Sequence, residues 1–315
     1  MTRDELLAKW MDPVPVLCGG DGFLQIVDVM GDDDAVVNGA RISYGDSAEK
    51  HTPEQNRGLI RYMTRHAHGT PFEFPVVRFR VRLPMDVQRQ FVRHRMASLN
   101  EYSTRYSEAL DGAMATDPDE WRLQATDNKQ GSSRMLVLYP DCANVGVGFE
   151  VDDATGPQKA WRSTCSPGEY LSARERNLQV LAREVYEERI AFGVAREQAR
   201  KDLPLSTWTD CVYQFNYRSL RNFLTLRTDA HAQQEIRAYA QVLERFCADW
   251  LPFCHEAWLD FDRHAHMFSR SEMGVLRELL LSAASRIGLE GMLVDANLTK
   301  REIREFFDAI DTRPA

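Results

Sequence analysis

Hydrophobic and polar residues alternate most clearly between positions 77 and 83. Val77, Phe79, Val81 and Leu83 are apolar, and the three positions between them are all arginine. A period of two residues is typical of a β-strand with one face in the core, and here the other face is cationic. Pro84 predicts the end of this strand. We expect the arginine face to be a solvated or intersubunit surface rather than a track for phosphates.

Two further segments have the composition of strands. Leu24–Met30 is a short run rich in β-branched and apolar residues. Segment 205–216 places one set of side chains on a single face, which comprises Thr207, Thr209, Cys211, Tyr213 and Phe215. Both are therefore predicted to be strands.

Capping boxes, in which Ser or Thr is followed three positions later by Glu or Gln, indicate where several helices begin. Thr52 with Gln55, and Pro53 between them, predicts a helix that reaches about His66. Ser172 with Glu175 predicts the start of a long amphipathic helix. In the tail, boxes at positions 269 and 299 predict helices over 269–287 and 299–310.

The spacing of apolar residues predicts the other helices, which cover residues 32–42, 85–96, 194–201, 217–227 and 233–250. The last turn of helix 85–96 should carry Arg93, His94 and Arg95. The polar segment 98–107 after it is expected to be irregular. Strands and helices are mixed without a repeat, so the predicted fold class is α+β and rich in helix.

Residues of about 110–170 differ in composition from the rest of the chain. Gly, Asp, Pro, Ser and Thr are frequent there, and only short strand-like pieces such as Met135–Tyr139 occur. This stretch is interpreted as a long insertion rather than an independent domain. The expected organisation is a catalytic domain over 1–260 that contains the insertion, followed by a helical extension over 261–315.

The formal net charge of −8 excludes a general nucleic-acid binder or membrane-surface binder, because either would need a basic face. A compact anion must therefore be bound by a local cluster of arginines. The sequence has neither an export signal at its start nor about 18 uninterrupted apolar residues that could span a membrane. Its six cysteines are scattered and are expected to be free thiols. A cytoplasmic location is expected.

Chemically informative residues are concentrated between Gln90 and Tyr106. Arginines, a histidine, hydroxyls, an amide and a carboxylate occur in the pattern Gln-x-x-Arg-His-Arg-x-x-Ser-x-Asn-Glu-x-Ser-x-Arg-Tyr. A single arginine here is explained well enough by a solvated helix end, where cations are favourable. The whole set instead favours phosphate binding, because guanidinium groups donate bidentate hydrogen bonds to phosphate oxygens.

This run resembles, without a gap, the signature of the flavin-dependent thymidylate synthases. An upstream element, His68-Gly-Thr70-Pro-Phe-Glu73, and a downstream element from Asn216 to Gln233 are similar to that family as well. The resemblance covers roughly residues 20–107 and 170–260. One departure is Thr104, since relatives often carry glycine at that position.

The resemblance implies a mixed α/β subunit that assembles as a homotetramer, with each active site shared between chains. It implies FAD as the cofactor, with NADPH and methylenetetrahydrofolate as co-substrates. The reaction would be the reductive methylation of dUMP to dTMP. No Gly-rich dinucleotide fingerprint occurs, so FAD binding would not use a Rossmann fold.

The resemblance also assigns residues. Those implied for the cofactors are His68, near the folate, and Thr70, Glu73, Arg93, His94, Arg95, Met96, Glu101, Asn216, Arg218, Asn222 and His231. Those implied for the nucleotide are Gln90, Arg93, Glu101, Ser103, Thr104, Arg105, Tyr106, Arg200 and Arg227. The catalytic candidates are Arg227, Ser103 and His94, and no metal ligand is expected.

Elementary chemistry points in the same direction. Carbon 5 of uracil is a weak nucleophile, and one way to activate it is a cysteine that attacks carbon 6. Among the cysteines only Cys211 lies near the three matching motifs, and its strand position favours packing. The other way is a cation that stabilises charge developing on the ring, and Arg227 is the candidate. Ser103 is better interpreted as a contact of the phosphate or carbonyl than as a nucleophile. His94, beside arginines, should be neutral and contact the flavin.

Two alternatives stay open. The same chemistry could act on UMP, as in the related flavin-dependent UMP/dUMP methylases of nucleoside-antibiotic pathways, because one sugar hydroxyl separates the substrates. A protein of a different class would bind the nucleotide without catalysis, and its preparation would be colourless. A metal site at Cys254, His255, His264 and His266 is disfavoured, since the spacing matches no structural zinc pattern.

Overall fold

A computed structural model of the protein describes residues 1–110, 112–125, 132–135, 149–152, 156–159, 166–283, 286–296 and 298–311. Its strands are β1 Val14–Leu17, β2 Gly22–Met30, β3 Val76–Pro84, β4 Ala97–Glu101, β5 Arg122–Gln124, β6 Ser132–Met135, β7 Phe149–Asp152, β8 Gly156–Lys159 and β9 Trp208–Asn216. Its helices are α1 Arg3–Trp10, α2 Asp33–Arg41, α3 Pro53–Arg65, α4 Met85–Phe91, α5 Pro167–Ala191, α6 Arg196–Ala199, α7 Tyr217–Arg227, α8 Gln234–Trp250, α9 Pro252–Trp258, α10 Arg270–Ala283, α11 Arg286–Asp295 and α12 Lys300–Asp311. The mixture confirms the predicted α+β class.

The main sheet has the strand order β1-β2-β3-β9-β4, and every neighbouring pair is antiparallel. The three predicted strands form its centre, although β9 begins at Trp208 rather than at position 205. In the register of the central pair, Val76 lies opposite Asn216 and Pro84 lies opposite Trp208. Pro84 is thus the last residue of its strand, as predicted.

One face of this sheet forms the core. The side chains of Val77, Phe79, Val81 and Leu83 in β3 are completely buried, in one core cluster with aromatic residues of helices α7 and α8. Phe91 at the end of α4 stacks on Phe223 of α7 at a centroid distance of 4.7 Å. Burial of side chains of this size contributes roughly 1.5–3 kcal/mol each, so the sheet, α4 and α7 are held in one rigid arrangement.

The prediction that one helix covers residues 85–96 is wrong at its end. Helix α4 stops at Phe91, and a turn follows it in which the His94 amide donates to the Phe91 carbonyl oxygen at 3.0 Å. The prediction of an irregular segment after it is wrong for 98–101, because β4 pairs with β9. β4 is a polar, largely exposed edge strand, and it therefore lacks the alternating pattern that reveals buried strands.

The long helix also begins earlier than predicted. Its capping box is formed by Ser166 and Glu169, with Pro167 in the first turn, rather than by Ser172 and Glu175. The Ser172 hydroxyl is instead buried within the helix, where it donates to the carbonyl oxygen of Thr116 at 2.7 Å. Both boxes have the same spacing, and tertiary contacts with the insertion determine which one begins the helix.

The other predicted capping boxes, at Thr52, Ser269 and Thr299, are confirmed by both of their hydrogen bonds. The first tail helix, predicted over 269–287, ends at Ala283, and α11 follows it as a helix that was not predicted. Short elements with little periodicity were also missed, namely α1, β1 and α9.

Helix α3 ends in a Schellman motif that fixes the backbone of His68. The amide of His68 donates to the Met63 carbonyl oxygen at 2.9 Å, and the amide of Ala67 donates to that of Thr64 at 3.2 Å. Ala67 adopts the left-handed conformation, with φ of 54°, in a position that glycine usually occupies. The motif therefore fixes the path of the backbone from α3 into the 3-10 helix Thr70–Glu73.

The insertion contributes two short antiparallel pairs, β5 with β6 and β7 with β8. Of the strand-like stretch predicted at 135–139, Met135 ends β6 and the remaining residues lie outside the described ones. The insertion docks on helix α5 through Trp121, whose indole nitrogen donates to the Ser172 hydroxyl at 3.0 Å. It docks on helix α8 through Arg122.

The tail helices have a small hydrophobic cluster of their own, formed by Leu289, Ile303 and Phe307. Helix α12 is attached to α3 by the ion pair between Arg61 and Glu302 at 2.7 Å. The boundary at residue 260 stays a prediction. Among the described residues, none of the helices combines the length and apolarity needed to cross a membrane.

Candidate active site

A cleft of about 730 Å³ opens where three segments of the chain meet. These segments are the turn after α4, the first two turns of α7, and the short 3-10 helix Thr70–Glu73. The side chains that line it are Glu73, Arg93, His94, Arg95, Met96, Asn216, Arg218, Ser219 and Asn222. Its size is typical of a small-molecule site, and its lining is rich in cations and hydrogen-bond donors.

The first turn of α7 provides much of this surface. Asn216 caps the helix, since its side-chain oxygen accepts from the Ser219 amide at 2.9 Å. Arg218 forms an ion pair with Glu73 at 2.5 Å and so ties the helix to the 3-10 turn. A helix N-terminus beside arginines favours an anionic group such as a phosphate.

The turn after α4 places His94 against α7. Its ring packs edge-on against Phe223 at a centroid distance of 4.9 Å, and its Nε2 accepts a hydrogen bond from Arg227 Nε at 3.1 Å. Burial, together with the charge of Arg227, lowers the pKa of His94 to about 4. The ring is therefore neutral at pH 7, as predicted, and it acts as an acceptor toward Arg227 rather than as an acid.

Arg227, the last residue of α7, has only neutral partners among the described residues. Besides His94, it donates to the side-chain oxygen of Gln90 at 3.3 Å and to the Gln90 carbonyl oxygen at 3.4 Å. Burial and the nearby Arg93 lower its pKa, yet a guanidinium remains charged at neutral pH. Its positive charge is not cancelled by a carboxylate within the described structure and is available to an anionic ligand.

The remaining nucleotide positions form a second group, which lies at the end of β4, on the loop after it and at Arg200 beside that loop. A turn at Ser103 is closed by hydrogen bonds from the amides of Tyr106 and Ser107 to its carbonyl oxygen. The Arg105 guanidinium lies over the Tyr106 ring at 5.5 Å from its centroid. Arg200, after α6, donates to the Thr104 hydroxyl at 2.6 Å, so the threonine that replaces the usual glycine orients an arginine here.

Glu101 is the last residue of β4, and two buried side chains donate hydrogen bonds to its carboxylate. Gln88 Nε2 donates to Oε2 at 3.3 Å, and the buried Thr209 hydroxyl donates to Oε1 at 2.9 Å. Both donors are buried, whereas Glu101 itself is exposed. The geometry presents this carboxylate as an oriented acceptor at the beginning of the loop that carries Ser103.

Four predicted cofactor positions do not line the cleft, and one of them is Glu101 on β4. Thr70 begins the 3-10 turn, and His68 precedes it with its ring 5.8 Å from that of Tyr62. His231 is exposed and paired with Asp229 at 2.7 Å. Conversely, Ser219 lines the cleft although no role was predicted for it. It lies within the Asn216–Gln233 element, so its position in the first turn of α7 was the available signal.

Cys211 packs in the core, as predicted, and burial strongly raises the pKa of its thiol. It is therefore not a nucleophile for the pyrimidine. Cys18, Cys247 and Cys254 are free thiols too, and Cys142 and Cys165 lie outside the described residues. Among the described residues no cluster of three or more His, Cys, Asp or Glu side chains could hold a metal ion.

The sequence is similar to those of known proteins over most of its length. The family model described as thymidylate synthase complementing protein matches residues 25–253. The flavin-dependent thymidylate synthase of Wolbachia pipientis wMel is 34% identical over 291 residues, which cover 92% of this chain and 90% of that protein. The flavin-dependent thymidylate synthase of Gluconobacter oxydans is 37% identical over 290 residues, or 92% of this chain and 85% of that protein.

A solved structure is similar as well. The UMP/dUMP methylase PolB from Streptomyces cacaoi, bound with 5-Br UMP, is 30% identical and superposes with a TM-score of 0.59. The match covers 78% of this chain and 96% of that chain. The same methylase bound with 5-Br dUMP gives a TM-score of 0.60.

Proposed function

This chain belongs to the thymidylate synthase complementing protein family of flavin-dependent thymidylate synthases, and on that premise we propose that it methylates carbon 5 of dUMP. The cofactor is FAD, the carbon unit comes from methylenetetrahydrofolate, and NADPH is the reductant. The observation that carries the proposal is Arg227, a half-buried guanidinium with neutral partners beside an arginine-lined cleft.

The residues of the cleft fit a flavin dinucleotide. Arg93, Arg95 and Arg218 supply positive charge for its phosphates, and the first turn of α7 supplies amide and hydroxyl donors. His94, neutral and packed on Phe223, offers a flat, uncharged surface. When bound there, the flavin supplies the hydride chemistry, while the protein determines orientation and electrostatics.

Arg227 is the residue that we assign to activation of the pyrimidine. Carbon 5 becomes nucleophilic as negative charge develops on the ring oxygens, and a fixed cation stabilises that charge without reorganising. Neutral His94 and Gln90 hold the guanidinium without cancelling its charge. Ser103, Arg105 and Arg200 are assigned to the phosphate, because the loop after β4, with Arg200 bonded to it at Thr104, combines hydroxyls with cations.

We also propose that the chain assembles as a homotetramer with shared sites. Met96 and Tyr106, which belong to the two groups of site residues, are each 77% exposed, and Leu99 on β4 between them is exposed too. Exposed apolar side chains of this kind, next to a ligand site, are typical of surfaces that another subunit covers. His68 and Thr70, outside the lining of the cleft, are assigned to the folate side of the shared site.

Substrate choice between dUMP and UMP can be tested directly. Methylation removes the hydrogen at carbon 5, so tritium release from 5-³H-dUMP and 5-³H-UMP measures turnover of each. We expect faster release from dUMP. UMP is the second candidate because the structure of the similar methylase PolB contains 5-Br UMP. Faster release from UMP would transfer the assignment to the ribonucleotide, and a colourless protein that releases no tritium would leave only nucleotide binding.

Replacing Arg105 by alanine should mainly weaken nucleotide binding. Loss of a charge-assisted contact with phosphate costs roughly 1.5–3 kcal/mol, or a Kd about 10- to 150-fold higher. Titration of the flavin-loaded protein with dUMP measures the change. Arg78→Ala, on the exposed face of β3, is the matched control and should keep the wild-type Kd. Normal affinity in the Arg105 variant would remove this residue from the phosphate site.

A further inference from the structure

Arg227 is connected to the interior by a chain of side-chain amides. Its guanidinium donates to the Gln90 side-chain oxygen at 3.3 Å. The nitrogen of the same Gln90 amide donates to the side-chain oxygen of Gln233, just before α8. Gln233 in turn donates through Nε2 to Oδ2 of Asp86 at 3.5 Å. This series of hydrogen bonds, the amide chain, therefore links the Arg227 guanidinium to the Asp86 carboxylate in the first turn of α4.

The Asp86 carboxylate determines which atom, oxygen or nitrogen, each of the two side-chain amides turns toward its neighbour. An amide can present either its oxygen or its nitrogen to a neighbour, but an ionised carboxylate only accepts hydrogen bonds. Asp86 thus requires the nitrogen of Gln233, which leaves the Gln233 oxygen for the nitrogen of Gln90. The Gln90 oxygen then faces Arg227. Without an acceptor at Asp86 both amides could turn over, and Gln90 would present a donor to a cation.

The insertion stabilises the same region through Arg122 on β5. This side chain donates to Oε1 of Gln234 at 2.7 Å and to Oε1 of Glu235 at 2.5 Å. Arg122 is 19% exposed and Glu235 is 13% exposed, so the ion pair is largely withdrawn from water. These two acceptors directly follow Gln233, and the ion pair thereby fixes the start of α8.

The ion pair also affects Asp86. Burial of Glu235 opposes its ionisation, but the hydrogen bond from Arg122 nevertheless lowers its pKa. Burial raises the pKa of Asp86, and the charge of Glu235 adds to this increase. Arg122 therefore compensates negative charge beside the carboxylate on which the amide chain depends.

We propose that Gln233, directed by Asp86 and supported by the Arg122–Glu235 ion pair of the insertion, is a positioning residue that orients Gln90 toward Arg227. The proposal rests on the function proposed above, because it assigns a role to residues behind Arg227. According to this proposal, the insertion contributes to catalysis through Arg122, which docks at the start of α8.

Asp86→Asn is the most direct test, because it keeps the shape of the side chain and replaces a charged group that only accepts with a neutral amide that can also donate. We expect kcat per bound flavin to fall about tenfold, since small errors in the orientation of a catalytic group cost factors of this order. Gln233→Leu and Arg122→Met should reduce kcat in the same way. Flavin content should be unchanged, because none of the three residues lines the cleft.

Ser172→Ala is the matched control. It removes two hydrogen bonds that dock the same insertion on α5, those with Thr116 and Trp121, and does not touch the amide chain. We expect lower thermal stability with wild-type kcat. If Ser172→Ala lowered kcat as much as Asp86→Asn, or if Asp86→Asn left kcat unchanged, the proposal would be overturned.

Two double variants complete the experiment. If the amide chain acts through Arg227, Asp86→Asn should cause no further loss in an Arg227→Ala background, and a second tenfold loss would contradict the proposal. Asp86 and Gln90 should also be coupled in stability, so that the unfolding constant of Asp86→Asn/Gln90→Leu differs by more than about threefold from the product expected of two independent variants. An unfolding constant equal to that product would overturn the proposed chain of amides. This measurement needs no turnover, so it decides the proposal even if the wild-type protein methylates neither nucleotide.

Discussion

Replacing Arg227 by alanine is expected to reduce the methylation rate about 100- to 1000-fold, the loss typical when one fixed electrostatic stabiliser of a transition state is removed. The reason is that Arg227 is held by His94 and Gln90 with its charge intact. Flavin should stay bound, since the side chains lining the cleft are unchanged. Single-turnover rates and the flavin absorbance of the same preparation measure both quantities.

Two further variants test whether the loss depends on the charge and the geometry of Arg227 itself. Arg227→Lys keeps the charge but lacks the rigid, planar fork of donors with which arginine bonds His94 and Gln90, so its rate should lie between those of the wild type and the alanine variant. Arg89→Ala changes an exposed arginine on α4 next to Gln90 and should keep the wild-type rate. A wild-type rate in Arg227→Ala would mean that another group stabilises the charge on the ring.

The central strands could be predicted because each has one face in the core and one outside it. β3 and β9 show this as a period of two residues, and the structure pairs them along their whole length. β4 could not be predicted in this way, because an edge strand with polar, exposed side chains carries no such pattern. Its pairing with β9 is nevertheless what directs Glu101 and Ser103 away from the turn that holds His94.

The start of α5 shows another limit. Ser166 with Glu169 and Ser172 with Glu175 satisfy the same rule, and only the contacts of Ser172 and Glu175 with Thr116 distinguish them. Such contacts join residues more than fifty positions apart, so a local pattern cannot reveal them.

The candidate site also contains residues that the sequence can predict and residues that it cannot. Residues that line the cleft come from short motifs whose spacing is visible in the sequence, such as Arg93-His94-Arg95 and Asn216-Tyr-Arg218. The residues behind them are not visible, because Asp86, Gln233 and Arg122 are brought together only when α4, α8 and the insertion pack. Motifs therefore indicate which groups meet the ligands, and tertiary structure determines how those groups are oriented.

The attachment of the tail depends on Arg61, a buried arginine of α3. Its guanidinium donates to Glu302 of α12 and is also paired with Glu256 and Asp260. Arg61 and Glu302 are each only 8% exposed, whereas the other two carboxylates are substantially exposed to water. Removing the arginine would therefore leave one buried carboxylate, that of Glu302, without its cation.

We expect Arg61→Met to lower the free energy of unfolding by about 3 kcal/mol, because a buried charge that loses its partner is strongly destabilising. Denaturant unfolding measures the loss, and hydrogen exchange should show it first in α12. Arg57→Met, one turn earlier on α3, breaks a pair with Glu256 that is more than one-third exposed, and should cost at most about 1 kcal/mol. Arg61→Met/Glu302→Leu should be more stable than Arg61→Met, since it removes the unpaired carboxylate. Equal losses in the Arg57 and Arg61 variants would show that burial of the Arg61–Glu302 pair is not what holds the tail on α3.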